Sequence, residues 1–140
     1  MKKPKPEIIR QQNQFNIFII SGPSGVGKDT ILNLMKKKYL SYHYVITVTT
    51  RKKRQNEIDG TDYIFVSNEK FQQLIDSDKF LEWALVYNNM YGVPKDQVNQ
   101  GLSENKNVII KTDIQGARTI KKIINEAITI FMVLAPCMSV

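Results

Sequence analysis

Apolar residues along this chain form short, nearly unbroken runs separated by stretches with helical spacing. The runs predict five strands, at residues 15–20, 44–50, 63–66, 108–110 and 128–134. The helical spacing predicts four helices, over residues 29–39, 68–78, 94–101 and 117–125. Strands that alternate with helices around such apolar runs indicate an α/β fold with a mainly parallel sheet.

The same pattern predicts which residues are buried and how the chain is divided. We expect the last strand to be buried. We also expect burial of the apolar faces of the first two helices and of the single tryptophan; the residues concerned are Ile31, Leu34, Met35, Phe71, Leu74, Ile75 and Trp83. Residues 47–93 contain shorter, more polar elements, which predicts a subdomain inserted into a core of residues 15–46 and 94–140. Residues 1–14 are polar and basic, and we expect a flexible tail.

Composition narrows the class of protein. The chain has 140 residues, of which 42% are hydrophobic and 24% charged, as in an ordinary globular domain. No apolar run approaches the roughly 20 residues of a membrane-spanning helix, so we expect no membrane association. The tail lacks the apolar stretch of a secretory signal, and Cys137, the only cysteine, cannot form an internal disulfide. These features favour a cytoplasmic location.

The charge balance points to anionic ligands without choosing among them. Lys and Arg outnumber Asp and Glu by 20 to 13, and the formal net charge is +7. A basic protein attracts nucleotides and nucleic acids alike.

A glycine-rich loop follows the first predicted strand and precedes the first predicted helix. Residues 22–28 read G-P-S-G-V-G-K, which matches the G-x-x-x-x-G-K phosphate-binding pattern in the context that the pattern requires. Its glycines let backbone N–H groups point at phosphate oxygens, and the helix adds its positive end. The alternative is a turn that only links strand to helix. The predicted ATP phosphate-binding residues are Gly22, Pro23, Ser24, Gly25, Val26, Gly27, Lys28, Asp29 and Thr30.

Asp29 departs from the strict pattern, which has Ser or Thr after the lysine. Its carboxylate could approach Mg²⁺ through water, or it could repel phosphate. The sequence leaves both open.

A second set of motifs lies downstream. The segments T-T-R-K-K-R at residues 49–54, F-L-E-W-A at 80–84, Y-G at 91–92 and D-I-Q-G-A at 113–117 occur with a D-G-x-D-Y segment at 59–63. In this order and spacing the chain resembles the guanylate kinase family over residues 15–136. The resemblance implies a phosphate-loop nucleoside monophosphate kinase fold whose insert binds GMP.

The resemblance also implies roles for individual residues. The implied GMP-binding residues are Thr47, Arg51, Arg54, Tyr63, Glu82, Tyr91 and Asp113. Lys28, Arg51 and Arg54 are the implied catalytic residues, and Mg²⁺ is expected near Asp29, Thr30 or Asp113. Arg51 and Arg54 can fork onto a phosphate, and Glu82 can accept hydrogen bonds from the donor edge of guanine. The alternatives are a solvated basic turn for the arginines and a helix cap for Asp113.

Two further positions depart from the family. Val93 stands where the family usually has Ser or Thr, which removes one hydroxyl contact to GMP. Lys111 stands where an aspartate is common. The lysine could compensate for charge or disturb the Mg²⁺ shell, and the sequence does not decide.

The implied reaction is transfer of the γ-phosphoryl group of ATP to GMP, with Mg²⁺ as cofactor. The family continues past Pro136 into an arginine-bearing lid, a strand and a helix. We therefore expect this chain to be truncated before the lid. A fragment of a longer protein is favoured over a degenerate copy, and we expect the truncated form to be weakly active. The alternative functions are a non-catalytic guanylate-kinase-like interaction module and a nucleic-acid-binding protein, for which no stacking motif is present. The oligomeric state stays open.

Overall fold

A computed structural model describes residues 16–135, which form eight strands and four helices. The predicted tail at 1–14, the first residue of the run at 15–20 and residues 136–140, with Cys137, lie outside the described residues. In chain order the elements are β1 (Ile17–Ser21), α1 (Lys28–Lys38), β2 (His43–Tyr44), β3 (Val48–Thr49), β4 (Ile64–Phe65), α2 (Asn68–Asp76), β5 (Phe80–Val86), β6 (Asn89–Pro94), α3 (Lys95–Ser103), β7 (Val108–Lys111), α4 (Ile114–Ile123) and β8 (Ile128–Phe131). None of the helices in residues 16–135 is long and apolar enough to span a bilayer.

The first sheet is entirely parallel, with strand order β2-β7-β1-β8. Its central strands are β1 and β7, and their register pairs Ile17 with Val108 and Ile20 with Lys111. The buried faces of these strands pack against α3 and α4 through the fully buried Val98 and Ile120. Helices that cover a parallel sheet confirm the predicted α/β fold.

The second sheet contains β4-β3-β6-β5 and is built from residues 48–94. Its largest part is an antiparallel hairpin of β5 and β6, which the sequence reading did not resolve into strands. The turn is Tyr87-Asn88, and both residues have positive φ, as two-residue hairpin turns need for their twist. Because neither turn residue is glycine, the usual sequence signal of such a hairpin is absent.

The prediction of one strand over residues 44–50 was wrong. The chain forms β2 in the first sheet and β3 in the second, and residues 45–47 cross between the sheets. The Gln97 side chain of α3 accepts a hydrogen bond from the Ile46 N–H at 2.7 Å and donates one to the Ile46 carbonyl at 3.1 Å. These bonds satisfy the backbone of Ile46, while its neighbours Val45 and Thr47 still bond to Ile109 of β7 and Ile64 of β4.

Several burial predictions also fail. In α1 the buried residue is Leu32, which packs with Met35 against Ile20, whereas Ile31 and Leu34 are exposed. Phe71 in α2 is fully buried as predicted, and Leu74 and Ile75 pack partly buried beside it. Trp83 on β5 is 45% exposed, although its ring contacts Phe71 edge to face with centroids 6.5 Å apart.

The last strand is an edge strand and not a buried one. All four residues of β8 are exposed, and β8 pairs with β1 on one side. An unbroken apolar run cannot by itself distinguish a central strand from an edge strand. The helix that precedes it, α4, begins at Ile114, earlier than predicted, because the Asp113 carboxylate caps it by accepting a 2.8 Å hydrogen bond from the Gly116 N–H.

Gly22 joins the carboxyl end of β1 to the glycine-rich loop, and it allows no side chain. Its φ is 152°, and a Cβ there would lie 2.5 Å from the Met132 carbonyl oxygen. We expect Gly22→Ala to lower the free energy of unfolding, measured by urea titration, by roughly 2–4 kcal/mol. Two costs add: the strain of a positive φ at alanine and the clash of its Cβ with the Met132 carbonyl oxygen.

Gly25→Ala is the matched control for this prediction. Its φ of 76° imposes a similar conformational strain, but nothing lies within 4 Å of the added Cβ. If Gly22→Ala is no more destabilising than Gly25→Ala, the close approach of β8 to the loop is not a constraint on the fold.

Candidate functional site

The glycine-rich loop lies at the carboxyl end of β1 and ends at the first turn of α1. Gly22, Gly25 and Gly27 all have positive φ, and Gly27 is the N-terminal cap of α1 without a side-chain hydrogen bond. The first N–H groups of a helix have no partners within the helix, and they carry its positive end. The loop therefore has the form of an anion-binding site, in the place that the sequence predicted.

Lys28 turns its ammonium back over this loop. Its Nζ donates hydrogen bonds to the Gly22 carbonyl at 2.5 Å and to the Pro23 carbonyl at 3.2 Å. Burial, and then the nearby positive charge of Lys111, lower the pKa of Lys28. An anion bound in the loop would offset both effects, since it would supply the missing countercharge.

The two charged departures from the expected pattern, Asp29 and Lys111, form an ion pair. Lys111 Nζ lies 2.6 Å from Asp29 Oδ1 and donates a second hydrogen bond, of 2.9 Å, to the Tyr63 hydroxyl. Burial would lower the pKa of Lys111, but Tyr63 and Asp29 together keep it above its ordinary value. Lys111 is therefore a charged group that links the core to the second sheet.

Arg51 is held by a carboxylate to which the sequence reading assigned no role. Its Nη1 and Nη2 donate to the two oxygens of Glu57, at 3.0 and 2.6 Å, in a bidentate pair. The Arg51 hydrogen bonds, and the Arg54 backbone N–H at 2.7 Å, lower the pKa of Glu57 to about 2. The Arg51 guanidinium also lies over the Tyr63 ring at 5.2 Å. A charged, half-buried fork is thus fixed in one direction.

The remaining members of the predicted phosphate subsite lie at different depths. Tyr63 and Tyr91 contact each other edge to face, with ring centroids 6.1 Å apart, and Tyr91 helps to raise the pKa of Arg51. The Arg54 side chain is exposed, and its backbone alone is fixed. The structure therefore brings Arg51, Tyr63 and Tyr91 together and leaves the Arg54 guanidinium at the surface.

The acidic residues of the turn between β3 and β4 shape it. Asp62 Oδ2 accepts from the Ile58 N–H at 2.7 Å, and Asp59 Oδ1 accepts from the Phe65 N–H at 2.9 Å. These two carboxylates, together with Glu57, hold the basic turn in one conformation. The sequence signal for this role was the occurrence of three acidic residues six to eleven positions after Arg51.

Glu82 is a buried carboxylate on β5. It is 7% exposed, and none of the described residues donates a hydrogen bond to its side chain. Burial, and then the negative charge of Asp113, raise the pKa of Glu82 to about 7. Gly116 makes room for it, since a Cβ there would lie 2.9 Å from Glu82 Oε2. A buried acceptor without a donor is unfavourable unless a ligand supplies one.

Thr47 and Asp113 approach the same region from the core. Thr47 is buried in the crossing segment, and its hydroxyl lies 3.5 Å from the Lys111 carbonyl. Asp113 caps α4, which was the alternative role predicted for it from the sequence. Its negative charge also acts on Glu82. Val93 is buried in the hydrophobic core, where a hydroxyl would need a partner.

Comparisons with known proteins show which family the chain resembles. The guanylate kinase family model matches residues 14–139. The curated guanylate kinase of Carboxydothermus hydrogenoformans is 44% identical over 124 residues, which cover 89% of this chain and 60% of that protein. That of Helicobacter pylori is 44% identical over 120 residues, which cover 86% and 58%.

Comparison with solved structures identifies the same family. The crystal structure of guanylate kinase from Anaplasma phagocytophilum superimposes with a TM-score of 0.71 at 29% identity, covering 84% of this chain and 58% of that one. This likeness confirms the expected phosphate-loop nucleoside monophosphate kinase fold. The chain spans about 60% of the length of the curated relatives it matches. From its sequence and its fold, the chain belongs to the guanylate kinase family.

Proposed function

We propose that this chain is the phosphate-loop and GMP-binding part of a guanylate kinase, which transfers the γ-phosphoryl group of ATP to GMP. Glu82 carries the proposal, because it is a buried carboxylate that receives no hydrogen bond from the described residues. Guanine offers two adjacent donors, N1–H and the 2-amino group, and one carboxylate can accept both. Adenine has no such pair of donors, so Glu82 selects GMP over AMP.

The phosphate of GMP is bound by the groups around Arg51. Arg51 and Arg54 supply charge, and Tyr63 and Tyr91 supply neutral hydroxyl donors. Glu57 holds the Arg51 fork through two hydrogen bonds, so the cation is oriented before the ligand arrives. Less conformational entropy is then lost on binding. Thr47 and Asp113 line the base end of the same subsite, and the insert of residues 47–93 is the GMP-binding subdomain.

ATP binds through its phosphates at the loop. Residues 22–30, apart from Pro23, surround the phosphates with backbone N–H groups, and Lys28 exchanges two neutral carbonyl acceptors for charged oxygens. Charged acceptors form stronger hydrogen bonds than neutral ones, so the exchange is favourable. Lys28, Arg51 and Arg54 are the proposed catalytic residues.

Mg²⁺ accompanies ATP in this proposal and neutralises charge on the phosphate oxygens. Residues 16–135 contain no group of three His, Cys, Asp or Glu side chains arranged to hold a metal. This sparse set suits Mg²⁺, which keeps several waters and binds through substrate phosphates with one or two protein oxygens. The candidates for those one or two oxygens are Asp29, Thr30 and Asp113. A location in the cytoplasm, where ATP and GMP are available, is part of the same proposal.

The transfer itself requires no acid or base from the protein. An oxygen of the GMP phosphate attacks the γ-phosphorus, and the bond to the β,γ-bridging oxygen breaks with its electron pair on ADP. ATP and GMP together carry the same charge as ADP and GDP, so the step balances. The residues named here position the two nucleotides and stabilise charge on the moving group.

We expect guanosine, which has no phosphate to titrate, to bind about tenfold more weakly at pH 6 than at pH 8. The free Glu82 carboxyl has a pKa of about 7, and guanine binds its ionised form. Protonation therefore competes with the ligand as the pH falls through 7. Titration calorimetry at several pH values measures the dependence.

Glu82→Gln is the control for this dependence. It should weaken guanosine binding at pH 8 by roughly 1–3 kcal/mol and remove the pH dependence, because the amide faces a guanine donor with a donor of its own. A flat profile for the unmodified chain would exclude Glu82 as the base-binding group. Binding of neither GMP nor ATP at any pH would favour the interaction-module alternative.

The phosphate subsite is tested by comparing GMP with guanosine. We expect Arg51→Ala to weaken GMP by roughly tenfold or more and guanosine much less, since a charged hydrogen bond contributes roughly 1.5–3 kcal/mol. Arg54→Ala should act in the same direction.

Lys52→Ala is the matched control, since Lys52 lies exposed in the same turn and Arg51 bonds only its backbone carbonyl, at 2.8 Å, which the substitution keeps. Its effect measures the loss of one nearby charge. If Arg51→Ala weakens GMP and guanosine equally, Arg51 acts through the fold of the turn and not on the phosphate.

A further inference from the structure

Lys111 lies where the two halves of the site meet. It ends β7 and pairs in register with Ile20, two residues before the glycine-rich loop. Its Nζ contacts Asp29, next to Lys28 on α1, and Tyr63, which directly precedes β4 of the second sheet. The phosphate loop and the GMP-binding sheet therefore both reach this one ammonium.

The cations form a continuous series across the site. Lys28 lies over the loop, Lys111 lies 4.3 Å from the Tyr63 ring centroid, and Arg51 lies 5.2 Å from that same centroid. Lys111 and Arg51 are paired with Asp29 and Glu57, but Lys28 has no carboxylate in an ion pair with it among the described residues, and burial and then repulsion from Lys111 lower its pKa. A polyphosphate bound along them would relieve the repulsion.

The hydrogen bonds of Lys111 leave room for a ligand. An ammonium has three donors, and among the described residues Asp29 and Tyr63 accept two of them. The third remains available. The Lys111 side chain is 16% exposed, so the ammonium is still reachable from solvent.

A purely structural role does not account for the ion pair between Asp29 and Lys111 as well as a role in ligand binding does. The Asp29 side chain is 73% exposed, and pairs with so exposed a partner contribute little to stability. Its carboxylate stands beside a loop that binds anions, where it would repel phosphate. Lys111 cancels that charge at a distance of 2.6 Å.

We propose that Lys111 is a catalytic residue of this chain, whose ammonium binds the phosphoryl group in transfer between ATP and GMP while Asp29 and Tyr63 hold it in place. The inference rests on the proposed function and deepens it. Lys111 stays protonated and forms no covalent bond. It donates one hydrogen bond to a γ-phosphoryl oxygen as the bond to the β,γ-bridging oxygen breaks and the bond to the GMP oxygen forms.

The experiment compares two probes that differ in the γ-phosphoryl group. Binding of ADP and of the non-hydrolysable β,γ-imido analogue of ATP is measured by calorimetry at fixed Mg²⁺. Lys111→Met removes the charge and keeps the length of the side chain. We expect it to weaken the imido analogue about tenfold, as loss of a charged hydrogen bond implies, and to change ADP binding less than twofold.

Lys106→Met is the matched control. It removes one positive charge from an ion pair with Glu104 that lies outside the site. Thermal unfolding reports whether each variant folds. Lys111→Gln, which keeps a donor for Tyr63, replaces Lys111→Met if that variant does not fold, with the same expected contrast.

The outcomes separate this inference from the proposed function. Equal weakening of ADP and the imido analogue, or no change beyond that of Lys106→Met, overturns the role of Lys111 while the unmodified chain still binds GMP. If the unmodified chain binds neither GMP nor the imido analogue, the proposed function fails first. A selective loss of the imido analogue supports the inference.

Discussion

The parallel pairing of β1 with β7 is the constraint on which the rest of the site depends. Parallel strands place their carboxyl ends at one edge of a sheet, and ligands of such sheets bind at that edge. Here the register of Ile20 with Lys111 sets the glycine-rich loop beside the Lys111–Asp113 segment. Without this pairing, Lys28 would not lie within electrostatic reach of Lys111 and Asp113.

Paired charges prepare the site for a ligand that carries several negative charges. Arg51 is held by Glu57, and Lys111 by Asp29, so each cation is oriented by one carboxylate. Such pairs bring little net stability at exposed positions, but they limit the directions that a long side chain can take. Among residues 16–135, Lys28 donates hydrogen bonds only to backbone carbonyls, and burial and then Lys111 lower its pKa, so a bound anion would stabilise its charge.

Glu82 shows the opposite arrangement, a negative charge without a partner. Burial beside Asp113 opposes its ionisation, and Gly116 removes the side chain that would otherwise crowd it. The fold thus accepts a carboxylate whose ionisation is made unfavourable by burial. Buried polar groups without partners are rare in folded proteins, and functional sites are where they concentrate.

Local pattern was sufficient for much of the secondary structure and for the loop. The runs of β1 and β7, the helices and the G-x-x-x-x-G-K segment depend on short-range spacing, and each lies close to its predicted place. The hairpin of β5 and β6 was missed because its Tyr87-Asn88 turn lacks glycine. The exposure of β8 and Trp83 was missed because the apolar character of a residue does not indicate whether another element covers it.

The sequence by itself determined the family, the loop and the identity of the candidate residues, since these depend on residue order alone. Tertiary structure decided how they act on one another. Asp29 and Lys111 stand 82 positions apart and looked like two separate departures, yet they form one ion pair. The Arg51–Glu57 fork and the pKa of Glu82 were equally out of reach. Electrostatic energy depends on distance and burial, and both are properties of the folded chain.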